Sequence, residues 1–361
     1  MSKPRILIMA GGTGGHVFPG LAVADRLREL GHEINWLGTG RGIENELVPA
    51  ADYPLHRLTV TGVRGSGPVA RLLAPFRIAQ SIWQAMRILR AFKPAVVLGL
   101  GGYASGPGGI AARLMRIPLV IHEQNAVAGT TNKLLSRFAN AVLCGSPKAF
   151  APNVTCKVVG NPVRASMGSI APPAARGLAM HAPLRLLVLG GSQGAQAINQ
   201  LVPAALKLIP VDQRPSVRHQ AGKANVESTQ VAYSEANVSA DIVPFIADMA
   251  EALSQADLVI ARAGALTVAE IAAVGVSSVL IPFPYAIDDH QTENARSLVE
   301  LGAATVLPQA DLTAGQLAQV LREQLQPEAL LNRAAAARAA GKPDATEQVV
   351  RELQNWMGEK A

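Results

Sequence analysis

Twice along this chain of 361 residues, a short apolar run stops at a pair of glycines and a helical pattern begins almost at once. Residues 6–9, Ile-Leu-Ile-Met, lead to Gly11-Gly12-Thr13-Gly14-Gly15-His16, and a helical pattern follows over about 20–30, closed by Gly31. Residues 184–189 lead to Gly190-Gly191-Ser192-Gln193-Gly194, and a helical pattern covers 195–209. A strand that ends in a glycine turn and feeds a helix is the opening unit of a doubly wound sheet. Further strands are expected at 34–37, 95–98, 119–122 and 141–144 in the first half. In the second half they are expected at 216–220, 242–244, 258–261 and 278–281. Nearly all-apolar strands separated by helices imply parallel sheets covered on both faces, so the chain reads as α/β with two Rossmann-like domains.

Residues 166–183, rich in Ala, Pro and Gly and without periodicity, interrupt this pattern. The break sits near Asn161-Pro162, which sets the expected domains at 1–163 and 164–341. A last helical pattern at about 346–357, within the tail 342–361, is expected to pack back on the first domain. No apolar run reaches the roughly 18 residues of a membrane span, and the start, Met1-Ser2-Lys3-Pro4-Arg5, has no secretory pattern. Cys144 and Cys156, the only cysteines, read as core thiols of a reduced compartment, which points to the cytoplasm.

The charge is one-sided. Residues 1–160 hold 18 Lys and Arg against 7 Asp and Glu, while 161–361 hold 15 against 19. No acid occurs between Asp52 and Glu123, a stretch that carries Arg57, Arg64, Arg71, Arg77, Arg87, Arg90, Lys93, Arg113 and Arg116. Such a field favours an anionic partner. Nucleic acid is excluded as that partner, because the basic stretch lacks interleaved aromatics or a recognised nucleic-acid motif.

In a doubly wound sheet, ligands bind beyond the carboxyl ends of the strands. Four segments fall at such ends: Gly11 to His16, Gly99 to Pro107, Gly190 to Gly194 and Arg262 to Glu270. Glycine lets a backbone approach a ligand closely, and a following helix N-terminus offers unpaired N–H groups to a phosphate. A dinucleotide site is the rival reading of the first loop. Its third glycine position holds Val17, however, and no acid stands at the end of the 34–37 strand to take a ribose hydroxyl. A phosphate-binding P-loop motif is absent as well.

Taken together, these segments resemble the MurG family of peptidoglycan glycosyltransferases. The matching runs, in the family's order, are GGTGGHVFPGLAVA, GGYASGPGG, HEQNAVAGTTNK, GNPVR, GGSQGA and ARAGALTVAEI, and with DDHQTEN they span residues 10 to about 294. The resemblance implies a GT-B architecture, two Rossmann-like domains facing across a cleft. It also implies transfer of N-acetylglucosamine from UDP-GlcNAc to the 4-hydroxyl of lipid I, the undecaprenyl-diphosphate-linked N-acetylmuramyl-pentapeptide, with inversion, giving lipid II. By the same resemblance, Ser192 and its glycines hold the diphosphate, Arg164 and Ile246 form the uracil site, and Glu270 takes the ribose hydroxyls. Ala265, Leu266, Thr267, Val268, Ala269 and Gln291 line the sugar and diphosphate. Thr13, Gly14, Gly15 and Asn125 bind UDP-GlcNAc from the first domain, completing the donor and acceptor site, with Gly102 and Tyr103 on the acceptor side. His290 stands where the family often has a glutamine, a departure beside the sugar contacts.

An inverting transfer needs a base for the attacking hydroxyl and stabilisation of the leaving UDP. Histidine suits the first task near neutral pH, and His16 sits at the tip of the first loop. Glu123 is the second candidate base, with a plain role as partner of a nearby arginine as its alternative. No D-x-D motif occurs, and Asp288-Asp289-His290 reads as a solvated turn, so no metal or other cofactor is expected. On a helix over 72–90, Phe76, Trp83, Arg87 and Arg90 share one face, and Ile78, Ile82, Met86 and Leu89 share another expected to face the core. An aromatic and basic face suits the anionic phospholipid surface of the cytoplasmic leaflet, placing the enzyme peripherally on the inner membrane. Competing readings are another UDP-sugar glycosyltransferase or a UDP-GlcNAc 2-epimerase of the same architecture, and a non-enzymatic nucleotide-sugar or membrane scaffold.

Overall fold

A computed structural model of the chain describes residues 4–60, 74–191, 194–285 and 289–358. The apolar runs become two sheets in which every neighbouring pair is parallel. The chain divides into two units, one made of Met1–Arg164 with Pro343–Ala361, the other of Ala165–Lys342.

In the first unit the strands are β1 (Arg5–Met9), β2 (Glu33–Thr39), β3 (Leu55–Leu58), β4 (Val96–Gly99), β5 (Leu119–Glu123), β6 (Ala141–Cys144) and β7 (Lys157–Val158), in the order 3-2-1-4-5-6-7. The period of two along a strand splits the apolar side chains between two cores. Ile6, Ile8, Trp36, Val96, Leu98 and Val120 face one side with the Gly14–Glu29 helix. Leu7, Met9, Leu37, Val97, Leu119 and Ile121 face the other, under the helices Ala74–Phe92 and Ser105–Leu114. The Ala345–Met357 helix belongs to the first core, where Val349, Val350 and Leu353 are buried, and Arg26 on the Gly14–Glu29 helix pairs with Glu347 at 2.6 Å.

The second unit repeats the plan. Its strands β8 (Arg185–Leu189), β9 (Ser216–Gln220), β10 (Asp241–Val243), β11 (Leu258–Ala261), β12 (Ser277–Leu280) and β13 (Ala304–Val306) run in the order 10-9-8-11-12-13. One core lies between Leu186, Val188, Leu258, Ile260 and Val279 on the sheet and the helices Gln196–Lys207 and Ala314–Gln324. In each sheet the order reverses at the middle pair: β1 with β4, and β8 with β11. The four glycine-bearing segments leave the carboxyl ends of those four strands.

Several expectations need correcting. β3, β7 and β13 were absent from the sequence reading; all three are sheet-edge strands, and short edges carry less of the apolar signal that marks central strands. The first helix begins at Gly14, within the glycine turn, with Pro19 inside it. Of the expected core face of the Ala74–Phe92 helix, Leu89 is buried and Ile82 and Met86 pack against the core, but Ile78 is exposed, and Ala74, Ser81, Ala85 and Phe92 complete the buried side. Ser81 fits there because its hydroxyl donates to the carbonyl of Arg77 (2.8 Å) or Thr59 (3.1 Å). Cys144 and Cys156 form a disulfide, because the unanticipated β6–β7 pairing brings their Cα atoms to 6.4 Å.

Candidate glycosyl-transfer site

The first loop is built from backbone. Thr13 is extended and stands at the N-terminus of the Gly14–Glu29 helix, its carbonyl taking the N–H groups of His16 and Val17 at 3.2 Å. Behind the loop, the Trp36 indole N–H donates to Ala10 O at 2.8 Å. The loop after β4 lies directly on it: a Cβ on Gly102, which has φ +80°, would stand 2.4 Å from Gly11 O. Ser105 fixes this second loop, accepting from Gly101 N–H (3.1 Å) and donating to the carbonyl of Met9 (2.9 Å) or Gly101 (2.7 Å).

His16 sits between the two loops, partly buried. Its Nδ1 lies 3.3 Å from Gly11 O, and the ring packs against Gly101, where a Cβ would fall 3.0 Å from Nε2. A carbonyl can only accept, so this contact selects the tautomer with hydrogen on Nδ1 and makes Nε2 the acceptor nitrogen. That is the protonation state a general base needs. Thr13 and Tyr103 are exposed beside it, and Gly14, Gly15 and Gly102 are half-buried.

Glu123 has another occupation. It is buried at the end of β5; Oε1 accepts from Asn125 N (3.0 Å) and Asn125 Nδ2 (3.1 Å), and Oε2 from Gly129 N (3.1 Å) and Asn132 Nδ2 (2.9 Å). Four donors on two oxygens make it the organiser of the 124–132 loop. Next to it His122 is fully buried, its Nε2–H donating to Gly160 O at 2.8 Å and its Nδ1 accepting from Gln124 Nε2 at 3.1 Å. Burial pulls its pKa down to about 4, so it is a neutral structural histidine.

In the second unit the loop after β8 leads into the Gln196–Lys207 helix, with Gly190 N–H bonded to Gln220 O at 3.0 Å. Ser192 lies outside the described residues, as do Asp288, Arg64 and Arg71. A buried polar chain supports the helix start. Asn199 Nδ2 donates to Ala221 O, its Oδ1 accepts from His219 Nε2, and His219 Nδ1 accepts from the Tyr233 hydroxyl, each at 3.0 Å. Burial holds His219 near pKa 4, again neutral. The loop after β11 opens the Ala265–Val274 helix. Ala265, Leu266 and Val268 are buried, Thr267 and Ala269 half-buried, and Glu270 is buried four residues after Leu266 on the same face. Ile246 is buried, and Arg164, in the first unit, lies over the Phe18 ring at 5.1 Å. Gln291 Oε1 accepts from Phe283 N–H at 2.9 Å, which turns its amide group toward the 282–285 turn.

Four positioning residues were missed by the sequence reading. Arg262 donates to the carbonyls of Ile281 and Pro282 at 3.0 Å and stacks on Phe283. Asn294 ties its helix to Ala263 O at 3.2 Å. Ser105 and Glu44 hold the first-unit loops. Arg262, Ser105 and Asn294 stood inside motif runs (ARAGALTVAEI, GGYASGPGG and DDHQTEN), whereas Glu44 carried no signal.

On the Ala74–Phe92 helix, Phe76 and Trp83 are 75% and 54% exposed, Arg87 and Arg90 are exposed, and the Arg87 guanidinium lies 5.0 Å from the Trp83 ring centre. A cavity of about 590 Å³ opens beside them, with Arg5, Arg57 and Arg87 in its lining. No helix among the described residues is long and apolar enough to cross a membrane.

Comparison with known proteins agrees with this geometry. The N-terminal domain of glycosyltransferase family 28 matches residues 6–144, and the family's C-terminal domain matches residues 185–349. A protein of Chromohalobacter salexigens named UDP-N-acetylglucosamine–N-acetylmuramyl-(pentapeptide) pyrophosphoryl-undecaprenol N-acetylglucosamine transferase is 54% identical over 347 residues, 96% of this chain and 95% of that one. Its namesake in Alkalilimnicola ehrlichii is 55% identical, over 97% and 98% of the two chains. Among solved structures, Acinetobacter baumannii MurG superposes with a TM-score of 0.84 at 43% identity, covering 98% of this chain and 99% of that one. The calicheamicin glycosyltransferase CalG4, at 16% identity and a TM-score of 0.71 over 99% of both chains, shares the fold.

Proposed function

The chain belongs to glycosyltransferase family 28, as one of its MurG transferases, and from that membership we infer its reaction and the division of labour between its two units. It moves N-acetylglucosamine from UDP-GlcNAc to the lipid-linked N-acetylmuramyl-pentapeptide of peptidoglycan synthesis. The observation that carries this conclusion is identity above one half with curated transferases over nearly the whole chain. The two parallel-sheet Rossmann-like units are those of GT-B glycosyltransferases.

The donor is held mainly by the second unit. The N-terminus of the Gln196–Lys207 helix offers N–H groups and a partial positive charge to the diphosphate, a role the family's motif shares with Ser192 and its glycines. Glu270 takes the ribose hydroxyls with its two acceptor oxygens. Ile246 and Arg164 serve the uracil, and residues 265–269 with Gln291 border the sugar and diphosphate. The first unit takes the acceptor through the loops after β1 and β4, with Gly102 and Tyr103 on the acceptor side, while Thr13, Gly14, Gly15 and Asn125 contribute to UDP-GlcNAc binding.

In the transfer step, the acceptor 4-hydroxyl attacks C1 of the sugar, the bond from C1 to the diphosphate oxygen breaks, and UDP leaves with that electron pair. The hydroxyl proton passes to Nε2 of His16. Gly11 O, bonded to Nδ1–H, stabilises the imidazolium that forms. Attack opposite the leaving group inverts C1. The basic, aromatic face of the Ala74–Phe92 helix docks the enzyme on anionic phospholipid at the cytoplasmic leaflet, where the acceptor's diphosphate lies. Transfer of labelled N-acetylglucosamine to a lipid I analogue tests the reading: wild type forms the disaccharide, and His16→Ala lowers kcat by about 100-fold or more. Full turnover in His16→Ala would remove the base assignment.

A further inference from the structure

The sequence leaves the end of the second strand without an acid, yet the structure supplies one there. β2 ends at Thr39, and Glu44, the first residue of the Glu44–Ala50 helix, folds back onto it with its side chain fully buried. Its Oε2 accepts from Gly12 N–H at 2.9 Å and its Oε1 from Thr39 N–H at 3.2 Å; the Thr39 hydroxyl donates either to Oε1 (2.9 Å) or to Arg41 O (2.5 Å). An acid in this part of a Rossmann-like sheet commonly faces a ribose. This one faces the underside of the first glycine loop.

The surroundings are cut to fit that carboxylate. A Cβ on Gly11 would stand 2.5 Å from Oε1, one on Gly42 (φ +118°) 2.2 Å from Oε2, and one on Gly38 2.9 Å from Cγ. Gly42 must also clear Gly12, whose N and Cα would lie 2.9 Å from such a Cβ. Three glycines, two of them outside the loop motif, therefore share one consequence: they let a buried carboxylate reach a backbone N–H of the loop. A carboxylate with this burial is retained only when donors surround it.

The peptide that Glu44 grips is the one His16 leans on. Gly12 N and Gly11 O belong to a single planar peptide unit. Glu44 bonds its N–H from one side, and His16 Nδ1 lies 3.3 Å from its C=O. Turning that peptide would break the Glu44 bond and withdraw the carbonyl that selects the histidine tautomer. We propose that Glu44 is a positioning residue for the transfer reaction: by clamping the Gly11–Gly12 peptide it fixes the carbonyl that orients His16 and keeps its hydrogen on Nδ1. The catalytic consequence rests on His16 being the base; the structural consequence does not.

Glu44→Gln keeps the size but leaves one acceptor oxygen for two backbone donors that now sit on separate oxygens, so either the Gly12 or the Thr39 bond is lost. The test uses the full chain labelled in its histidine rings. Long-range ¹H–¹⁵N spectra of wild type, Glu44→Gln and Glu44→Asp read the His16 tautomer, with the signal assigned through His16→Asn, and kcat and KM are measured in parallel. Wild type shows the Nδ1–H form. Glu44→Gln mixes the tautomers and lowers kcat by about 10- to 100-fold, a larger change than in KM for UDP-GlcNAc, most of whose proposed contacts lie in the other unit. Glu44→Asp recovers part of both signals. An unchanged tautomer in folded Glu44→Gln overturns the proposal, whatever kcat does. A mixed tautomer with unchanged kcat upholds the clamp and removes His16 as base. If Glu44→Gln does not fold, Thr39→Val, which deletes one donor to the carboxylate, shifts the tautomer in the same direction by less, and no shift overturns the proposal.

Discussion

Two histidines are buried neutral, one in each unit, and acid should find them. Burial displaces both His122 and His219 from the usual 6.5 to about 4, and each is locked by an N–H donated to one acceptor and a ring nitrogen accepting from one donor. The unfolded chain titrates near 6.5, so between pH 6.5 and 4 it binds a proton that the folded chain refuses. Stability is therefore full above about 6.5, falls as pH drops through that window, and loses nothing further from these groups below 4. The displacement corresponds to roughly 3 kcal/mol per histidine, of which about 2 kcal/mol is already lost at pH 5. All three tryptophans, Trp36, Trp83 and Trp356, lie in the first unit, so their fluorescence in urea reports the unit that holds His122. His122→Gln is less stable than wild type at pH 7, having lost packing and hydrogen-bond geometry. Because it cannot titrate, the gap to wild type narrows by about 2 kcal/mol between pH 7 and pH 5. Comparing the gap at two pH values cancels every other titrating group. A gap that stays constant within about 0.5 kcal/mol would refute the assignment of His122 as a buried neutral base pair partner of Gln124 and Gly160.

Other consequences concern single elements. Glu123→Gln places an amide N–H₂ among four donors, so it should destabilise the 124–132 loop by about 2–3 kcal/mol and raise proteolysis there, while the alkaline and acid limbs of the pH–rate profile stay where wild type has them. Leu353→Ala, in the fully buried face of the C-terminal helix, should cost the first unit about 2–5 kcal/mol in urea unfolding followed by tryptophan fluorescence. Trp83→Ala with Arg87→Ala should weaken binding to vesicles containing anionic phospholipid by about ten-fold or more and leave binding to neutral vesicles nearly unchanged; equal loss on both would point away from a charged docking face.

The sequence was most informative where the physics is local and strong. Central strands such as β1, β4, β8 and β11 are almost wholly apolar, and the glycine pairs behind the first three have no simpler explanation than a tight turn or close approach. The edge strands β3, β7 and β13 escaped because an edge needs little apolar surface, as the Leu-His-Arg-Leu of β3 illustrates. Within the site, residues belonging to motifs could be named, but their partners could not. Nothing in the spacing of Glu123 shows that Asn125, Gly129 and Asn132 converge on it. Nothing in Glu44 shows that a turn five residues past the second strand brings it under Gly12. Both depend on tertiary folding of a loop back onto a strand end. The helix starts at Gly14, ahead of the 20–30 pattern, although Pro19 inside it has no N–H to donate to the preceding turn.

The central claim is that this chain joins N-acetylglucosamine to a lipid-linked muramyl acceptor with His16 taking the proton. Its most direct test is transfer from labelled UDP-GlcNAc to a lipid I analogue, with the product's anomeric configuration read by NMR, for wild type and His16→Ala. The account predicts a disaccharide of inverted configuration from wild type, matched one-for-one by released UDP, and turnover lower by about 100-fold or more in the variant. Retained configuration, or UDP release without disaccharide, would contradict it.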